Sequence, residues 1–279
     1  MTEQLLIALD IDGTILDVDG EIPDATRQQV KRLRAEGHEV MLATGRSAAD
    51  MLPVRERLSL DSRYLVAANG AMVLERAEGV SAPANSDYSA TWVETFDPTD
   101  ALIRLRPVLR NARFAVEGPD GVYRYSGQFP DGSFEAQGTE VKFEDLLGHP
   151  VTRLVVVSPD HSVEEFVAEV KGSGLHQVTY SVGWSAWLDI APEGVNKATA
   201  LEKVRTNLGI SGRNVVVAGD GFNDIQMLEW AKEIGGRSFA MGNAPQQVID
   251  AASDLTTDFY HDGLALALAK VGYDMSQPG

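Results

Sequence analysis

Short apolar runs that stop abruptly at polar clusters limit what this chain can fold into. "LLIAL" ends at Asp10-Ile11-Asp12-Gly13-Thr14, "EVMLA" at Thr44-Gly45-Arg46, "YLVAA" at Asn69-Gly70, and "NVVVAG" at Asp220. Runs this short, apolar at consecutive positions, suit strands buried on both faces of a parallel sheet. Helical periodicity fills the gaps between them. "IPDATRQQVKRLRAEG" sets Val30 and Leu33 on one face, with Pro23 near its start and Gly37 as its stop. "SAADMLPVRERL" reads as a second helix, bent at Pro53. "NKATALEKVRTNLG" aligns Leu201, Val204 and Leu208 before Gly209, and "NDIQMLEWA" opens with two residues that favour helix caps. The grammar predicts an α/β fold with a doubly wound, mostly parallel sheet.

The middle third breaks the pattern. "RFAVE" and "VYRYS" flank a "GPDG" turn, a Gly- and Phe-rich stretch follows, and "TRLVVVS", "SVEEFVAEVK", "HQVTYSV" and "WSAWLDI" complete it. Clustered strands with few helices predict an α+β domain, residues 84–190, inserted into a core made of residues 1–83 and 191–279. The joints are placed at "SAPANSDYSA" and "APEGVN", and the tail "MSQPG" reads as disordered.

Composition narrows the chemistry. A formal net charge of -17, with no basic run, argues against a nucleic-acid or anionic-membrane surface. The absence of cysteine removes thiolate catalysis and thiolate metal sites, and the five histidines are too scattered for a His-x-x-x-His zinc motif. The opening "MTEQLLIALDID" has neither a basic segment nor an apolar run of membrane-spanning length, so a cytoplasmic protein is expected. Oligomeric state is not readable.

In open α/β sheets ligands bind at the carboxyl ends of strands. Asp10 and Asp12 sit at one such end, and like charges this close require a cation, a shared proton or solvent. Asp220 offers a third carboxylate from another strand; converging carboxylates of this kind suit Mg²⁺. Thr44, Gly45 and Lys197, the last at a helix N-terminus, supply the features of an anion site, although each taken singly is common in turns and helix starts. Arg46 can equally pair with a surface acid. The second Asp-x-Asp-Gly, Asp17 to Gly20, follows no apolar run and reads as a solvated turn. Calcium-loop, dinucleotide and Walker A patterns all fail on residue type.

Taken in order, D-I-D-G-T at 10–14, A-T-G-R at 43–46, A-N-G-A at 68–71, Asn196-Lys197, G-D-G-F-N-D at 219–224 and A-M-G-N-A at 240–244 resemble the haloacid-dehalogenase-like hydrolase superfamily. The likeness is to its Cof-type branch, Mg²⁺-dependent phosphatases with a Rossmann-like core and a type IIB cap. The resemblance implies that Asp10 is the nucleophile and that Asp12 protonates the leaving group, then activates water. It implies phosphate binding by Ile11, Thr44, Gly45, Lys197 and Asn223. Mg²⁺ would be held by the Asp10 and Asp220 carboxylates and the Asp12 backbone carbonyl, with Asp224 orienting these ligands. The expected substrate is a small phosphate monoester, such as a sugar phosphate or a cofactor- or nucleotide-like phosphate, handled through an aspartyl-phosphate.

Two other readings stand beside this one. A phosphomutase of the same superfamily has a longer spacing between the Gly-Asp and Asn-Asp pairs than Asp220 and Asn223 show, and a non-catalytic module would have lost one of the chemical residues. Leaving-group choice is expected to reside in the inserted domain, whose Tyr123, Arg124, Tyr125, Phe129, Tyr180, Trp184 and Trp187 are candidates for it. The competing expectation is that these aromatics pack on the domain's own helices.

Overall fold

The apolar runs of the outer thirds do form strands. The computed structural model describes residues 3–80, 84–129, 138–176, 178–182 and 186–271. The first part of the chain supplies β1 (Leu6–Leu9), α1 (Asp24–Ala35), β2 (Glu39–Leu42), α2 (Ala48–Arg57), β3 (Tyr64–Ala67), β4 (Met72–Arg76) and β5 (Tyr88–Val93). The middle supplies α3 (Thr99–Val108), β6 (Arg113–Glu117), β7 (Tyr123–Ser126), β8 (Gly138–Glu140), β9 (Arg153–Val157), α4 (Val163–Gly172), β10 (Val178–Val182) and β11 (Trp187–Pro192). Last come α5 (Lys197–Leu208), β12 (Val215–Gly219), α6 (Ile225–Glu233), β13 (Arg237–Ala240), α7 (Gln246–Ala251), β14 (Asp254–Leu255) and α8 (Gly263–Ala269).

One unit comprises Met1–Thr91 and Asn196–Gly279. Its main sheet runs β14-β13-β12-β1-β2, parallel throughout, and a parallel bridge from Ala43 to Val66 carries it on to β3. Leu6, Ile7 and Leu9 of β1 and Val215 to Val217 of β12 are fully buried, as strands between two helical layers must be. Each such side chain stabilises the fold by roughly 1.5–3 kcal/mol. From β1 the chain winds outward through β2 and β3; after the insertion it winds the other way through β12, β13 and β14. The reversal between β1 and β12 opens a crevice at their carboxyl ends, where an α/β sheet binds its ligands.

α1 buries Val30 and Leu33 as its periodicity predicts, and Arg32 donates to the carbonyls of Leu268 (2.9 Å) and Val271 (3.0 Å) near the end of α8. The Leu268 carbonyl also accepts the Val271 N–H (3.0 Å), and a cation at a helix C-terminus is favourable. The turn at Asp17 is closed by its own carboxylate, which accepts from the N–H groups of Asp19 (2.9 Å) and Glu21 (2.8 Å).

The other unit is Trp92–Val195. Its sheet runs β10-β11-β9-β6-β7-β8, with only β7 and β8 parallel. On one face Phe114, Val116, Leu154, Val156, Leu188 and Ile190 pack against Leu102 and Leu105 of α3 and Phe166 and Val170 of α4. Tyr123, Tyr125, Phe129 and Trp187, four of the candidates for leaving-group choice, are not on that face. Tyr125, Phe129 and Trp187 pack with Tyr123, Ala115, Val155 and Val157 on the other face, because strand alternation points them away from the helices. Trp184 lies outside the described residues.

The unit boundaries fall after Thr91, just beyond "SAPANSDYSA", and after Val195, within "APEGVN". Residues 84–91 stay with the first unit because Arg55 holds Asn85 (3.0 Å) and the Tyr88 hydroxyl donates to the Ser62 carbonyl (2.7 Å). Ala191 and Pro192 stay with the second because they still pair with Thr179 and Val178. Most of "SAPANSDYSA" is described, but residues 81–83 of it lie outside the described residues, as does the tail "MSQPG". Among the described residues no helix is long and apolar enough to cross a membrane.

Candidate active site

Asp10 directly follows β1, and its N–H continues the ladder by donating to the Ala218 carbonyl of β12 (3.0 Å). The chain then folds into a small loop, with the N–H groups of Ile15 (2.9 Å) and Leu16 (2.8 Å) both donating to the Ile11 carbonyl. Gly13 adopts a positive φ of 77° in this loop and lies over the Asp220 carboxylate, so closely that any Cβ there would collide with it. Only glycine meets both requirements. Thr14 Oγ1 donates to Asp220 Oδ1 (3.2 Å), and Asn243 Nδ2 donates to Asp220 Oδ2 (2.9 Å) and to the Gly13 carbonyl (3.1 Å). Asp220, at the end of β12, is thus fixed beside Asp10.

Lys197 begins α5 and is fully buried, with its Nζ 2.6 Å from Asp10 Oδ1 and 2.6 Å from Asp224 Oδ1. The other Asp224 oxygen accepts from the N–H groups of Asp220 (3.1 Å) and Gly221 (2.9 Å). The sequence suggested Asn223 and Asp224 as caps for α6. Asp224 makes no side-chain cap to that helix; its carboxylate turns back instead to hold Lys197 and the backbone that carries Asp220.

Carboxylate oxygens of Asp10, Asp220 and Asp224 lie within 4.8 Å of one another, and all three residues are buried. One buried ammonium faces these three acids. Burial, reinforced by the charge of Asp224, raises the Asp10 carboxyl well above its ordinary range, and Lys197 offsets only part of this. Burial and Asp224 likewise push Asp220 up to about 7. Burial works against the Lys197 ammonium, yet Asp10 and Asp224 outweigh it and hold that group charged. The donor set fits a hard divalent cation: oxygen ligands with negative charge in excess. Asp224 differs from the other two in its partners: one oxygen faces the Lys197 ammonium and the other accepts two backbone N–H groups.

That charge excess has a pH signature. Asp220 is raised from an ordinary 3.8 to about 7, so without metal the folded state keeps a proton that the unfolded chain releases. The associated stability is full below pH 4 or so and is lost as pH rises toward about 7. A bound cation competes with the same proton. Adding Mg²⁺ is therefore expected to raise the thermal midpoint more at pH 8 than at pH 5, as read by differential scanning fluorimetry. Equal gains at both values would refute this charge balance.

Asp12 behaves differently. Its carboxylate is exposed and gripped by Arg46, with Nε to Oδ2 at 3.0 Å and Nη2 to Oδ1 at 2.5 Å. The surface pairing left open for Arg46 is therefore made with Asp12 itself. Thr44 is buried; its Oγ1 accepts the Arg46 N–H (3.1 Å) and keeps its own hydrogen to donate. Gly45 lies beside the side-chain amides of Asn69 and Asn223. Ile11 is buried at the loop's hinge, its carbonyl already accepting three N–H groups, those of Thr14, Ile15 and Leu16. Thr14, Asn69 and Asn243 all belong to motifs visible in the sequence, but which groups they hold emerges only from the fold.

Comparison with known proteins gives a consistent picture. The sequence model described as haloacid dehalogenase-like hydrolase matches residues 7–268. A 5-amino-6-(5-phospho-D-ribitylamino)uracil phosphatase of Bacillus subtilis is 28% identical over 274 residues, spanning 95% of this chain and 96% of its own. An HMP-PP phosphatase of Cronobacter sakazakii is 28% identical over 257 residues, spanning 87% and 85%. Among solved structures, a HAD subclass IIB sugar phosphatase superposes with a TM-score of 0.77 at 20% identity, covering 96% of this chain and 99% of that one.

Proposed function

The chain belongs to the haloacid dehalogenase-like hydrolase family, in its Cof-type branch, and from that premise we propose that it is a Mg²⁺-dependent phosphatase acting on a small-molecule phosphate monoester through an aspartyl-phosphate. One observation carries the reading: Asp10, buried at the sheet's reversal point, is held by the Lys197 ammonium beside a second buried carboxylate, Asp220.

An Asp10 carboxylate oxygen attacks phosphorus, the bond to the ester oxygen breaks, and the leaving oxygen takes a proton from Asp12. Asp12 then removes a proton from water, whose oxygen attacks the phosphorus of the aspartyl-phosphate; Asp10 and inorganic phosphate are released. Arg46 grips both Asp12 carboxylate oxygens and so fixes where that group stands for both proton transfers. Thr44, Gly45, Ile11, Asn223 and Lys197 bind the phosphoryl oxygens, and Lys197 opposes the charge that builds on them. A bound Mg²⁺, held by the Asp10 and Asp220 carboxylates and the Asp12 carbonyl, would supply further positive charge at the transferring group. Asp224 keeps Lys197 and the Asp220 backbone in register. Leaving-group choice is assigned to the inserted unit.

The test is release of inorganic phosphate from a panel of monoesters with Mg²⁺ and with EDTA. The panel spans sugar phosphates, nucleotides and phosphorylated heterocycles, the last suggested by the relative that acts on a phosphoribitylaminouracil. Metal-dependent release from some members is expected. No release from any, by folded protein with Mg²⁺ supplied, would overturn the reading.

A further inference from the structure

The A-N-G-A stretch at 68–71 has no part in the mechanism above, yet it carries the most unusual backbone near the site. Ala68, Asn69 and Gly70 follow one another with φ of 48°, 52° and 97°. Left-handed non-glycine residues are uncommon and strained, and two in succession persist only where the surroundings enforce them; such strain gathers at functional sites.

The enforcing contacts are local to the phosphate machinery. The Ala68 N–H donates to the Arg46 carbonyl (2.8 Å) and the Asn69 N–H to the Thr44 carbonyl (3.0 Å), clipping the turn to the backbone on either side of Gly45. Gly70 lies against the Asn196 carbonyl, immediately before Lys197, so closely that a Cβ has no room. The Asn69 side chain is 8% exposed, and its Oδ1 accepts from Asn223 Nδ2 at 2.9 Å. The carbonyl end of the Asn223 amide is turned toward Gly221, and its nitrogen end toward Asn69 and Gly45.

An amide nitrogen has two hydrogens in a fixed plane. With one committed to Asn69, the amide can no longer rotate freely, and the direction of the second is set. The geometry points to Asn69 as a positioning residue: it orients Asn223 so that the remaining N–H meets a phosphoryl oxygen beside Gly45. This rests on the phosphate-ester reading, and the strained turn is the device that delivers the Asn69 carbonyl oxygen to that place.

A double-mutant cycle tests it, with kcat/KM for the best monoester and competitive inhibition by inorganic phosphate as readouts. Asn69→Gly removes the amide and keeps a residue at ease with positive φ, so folding, checked by thermal midpoint and circular dichroism, should survive. In the wild-type background this change is expected to lower kcat/KM about tenfold and to weaken phosphate inhibition by a similar factor. In an Asn223→Ala background it should cost less than about threefold, because the group it positions is gone. Equal losses in both backgrounds, no loss in either, or an Asn69→Gly protein that does not fold would each overturn the positioning role. A wild-type protein inactive on every ester would overturn the phosphate-ester reading itself, so the two failures are distinguishable.

Discussion

Replacing Asp10 by Asn is expected to lower phosphate-ester turnover by about a thousandfold or more while leaving the protein folded. The amide has the shape of the carboxylate but is a poor nucleophile, so the bond to phosphorus does not form. The fold should not suffer. Lys197 keeps Asp224 as a partner at 2.6 Å, and the substitution removes one of three buried acids. Burial already raises the Asp10 carboxyl, and a neutral side chain avoids that cost; the metal-free variant should melt no lower than wild type at pH 8. Intact mass spectrometry after a quenched reaction should detect a phosphoryl adduct on wild type and none on Asp10→Asn. Wild-type turnover in the variant would remove Asp10 from the mechanism.

The core of the site was readable in the sequence because of where its acids stand. Asp10 and Asp220 each end an apolar strand, and parallel strands bring their carboxyl ends to one edge, so the two would converge if their strands were neighbours, as β1 and β12 are. The A-T-G-R turn was legible for the same reason. What sequence position does not disclose is the target of a side chain after a turn. Asn223 and Asp224 have the composition of a helix cap, but Lys197 and the N–H groups at 220 and 221 compete for the Asp224 carboxylate and win it. Asn69 and Asn243 stand in loops whose partners belong to distant segments, so their motifs were visible and their contacts were not.

In the inserted unit the strands at 113–117, 123–126 and 153–157 followed their sequence pattern. Helix α3 went unread although Leu102, Leu105 and Leu109 recur at helical spacing; Pro98 and Pro107 at its ends interrupted the signal. β4 and β5 were missed for a different reason. They are joined through a stretch of small residues that resembles a linker, and β5 exposes most of its side chains. The aromatics of β7 and β11 alternate as buried residues should, but alternation alone does not say which face the helices cover.

Lys197→Met should produce the largest loss of stability of any single change at this site. The side chains are similar in volume, so packing is largely kept and the effect isolates the charge. Removing one partner of a buried ion pair leaves the other uncompensated, which costs about 3–5 kcal/mol; here Asp10 and Asp224 both lose their cation, with Asp220 beside them. Turnover should fall about a hundredfold or more, because the charge opposing the phosphoryl oxygens is gone. Two further results separate charge from packing. Lowering the pH from 8 to 5 should narrow the stability gap, since carboxyls already raised by burial take up protons more readily without the lysine. Adding Asp224→Asn to Lys197→Met should restore part of the lost stability, because it removes one of the acids left without its cation. A Lys197→Met protein as stable as wild type at pH 8 without metal would mean that the three carboxyls do not rely on this ammonium. An equal deficit at both pH values, unrelieved by Asp224→Asn, would assign the loss to packing instead.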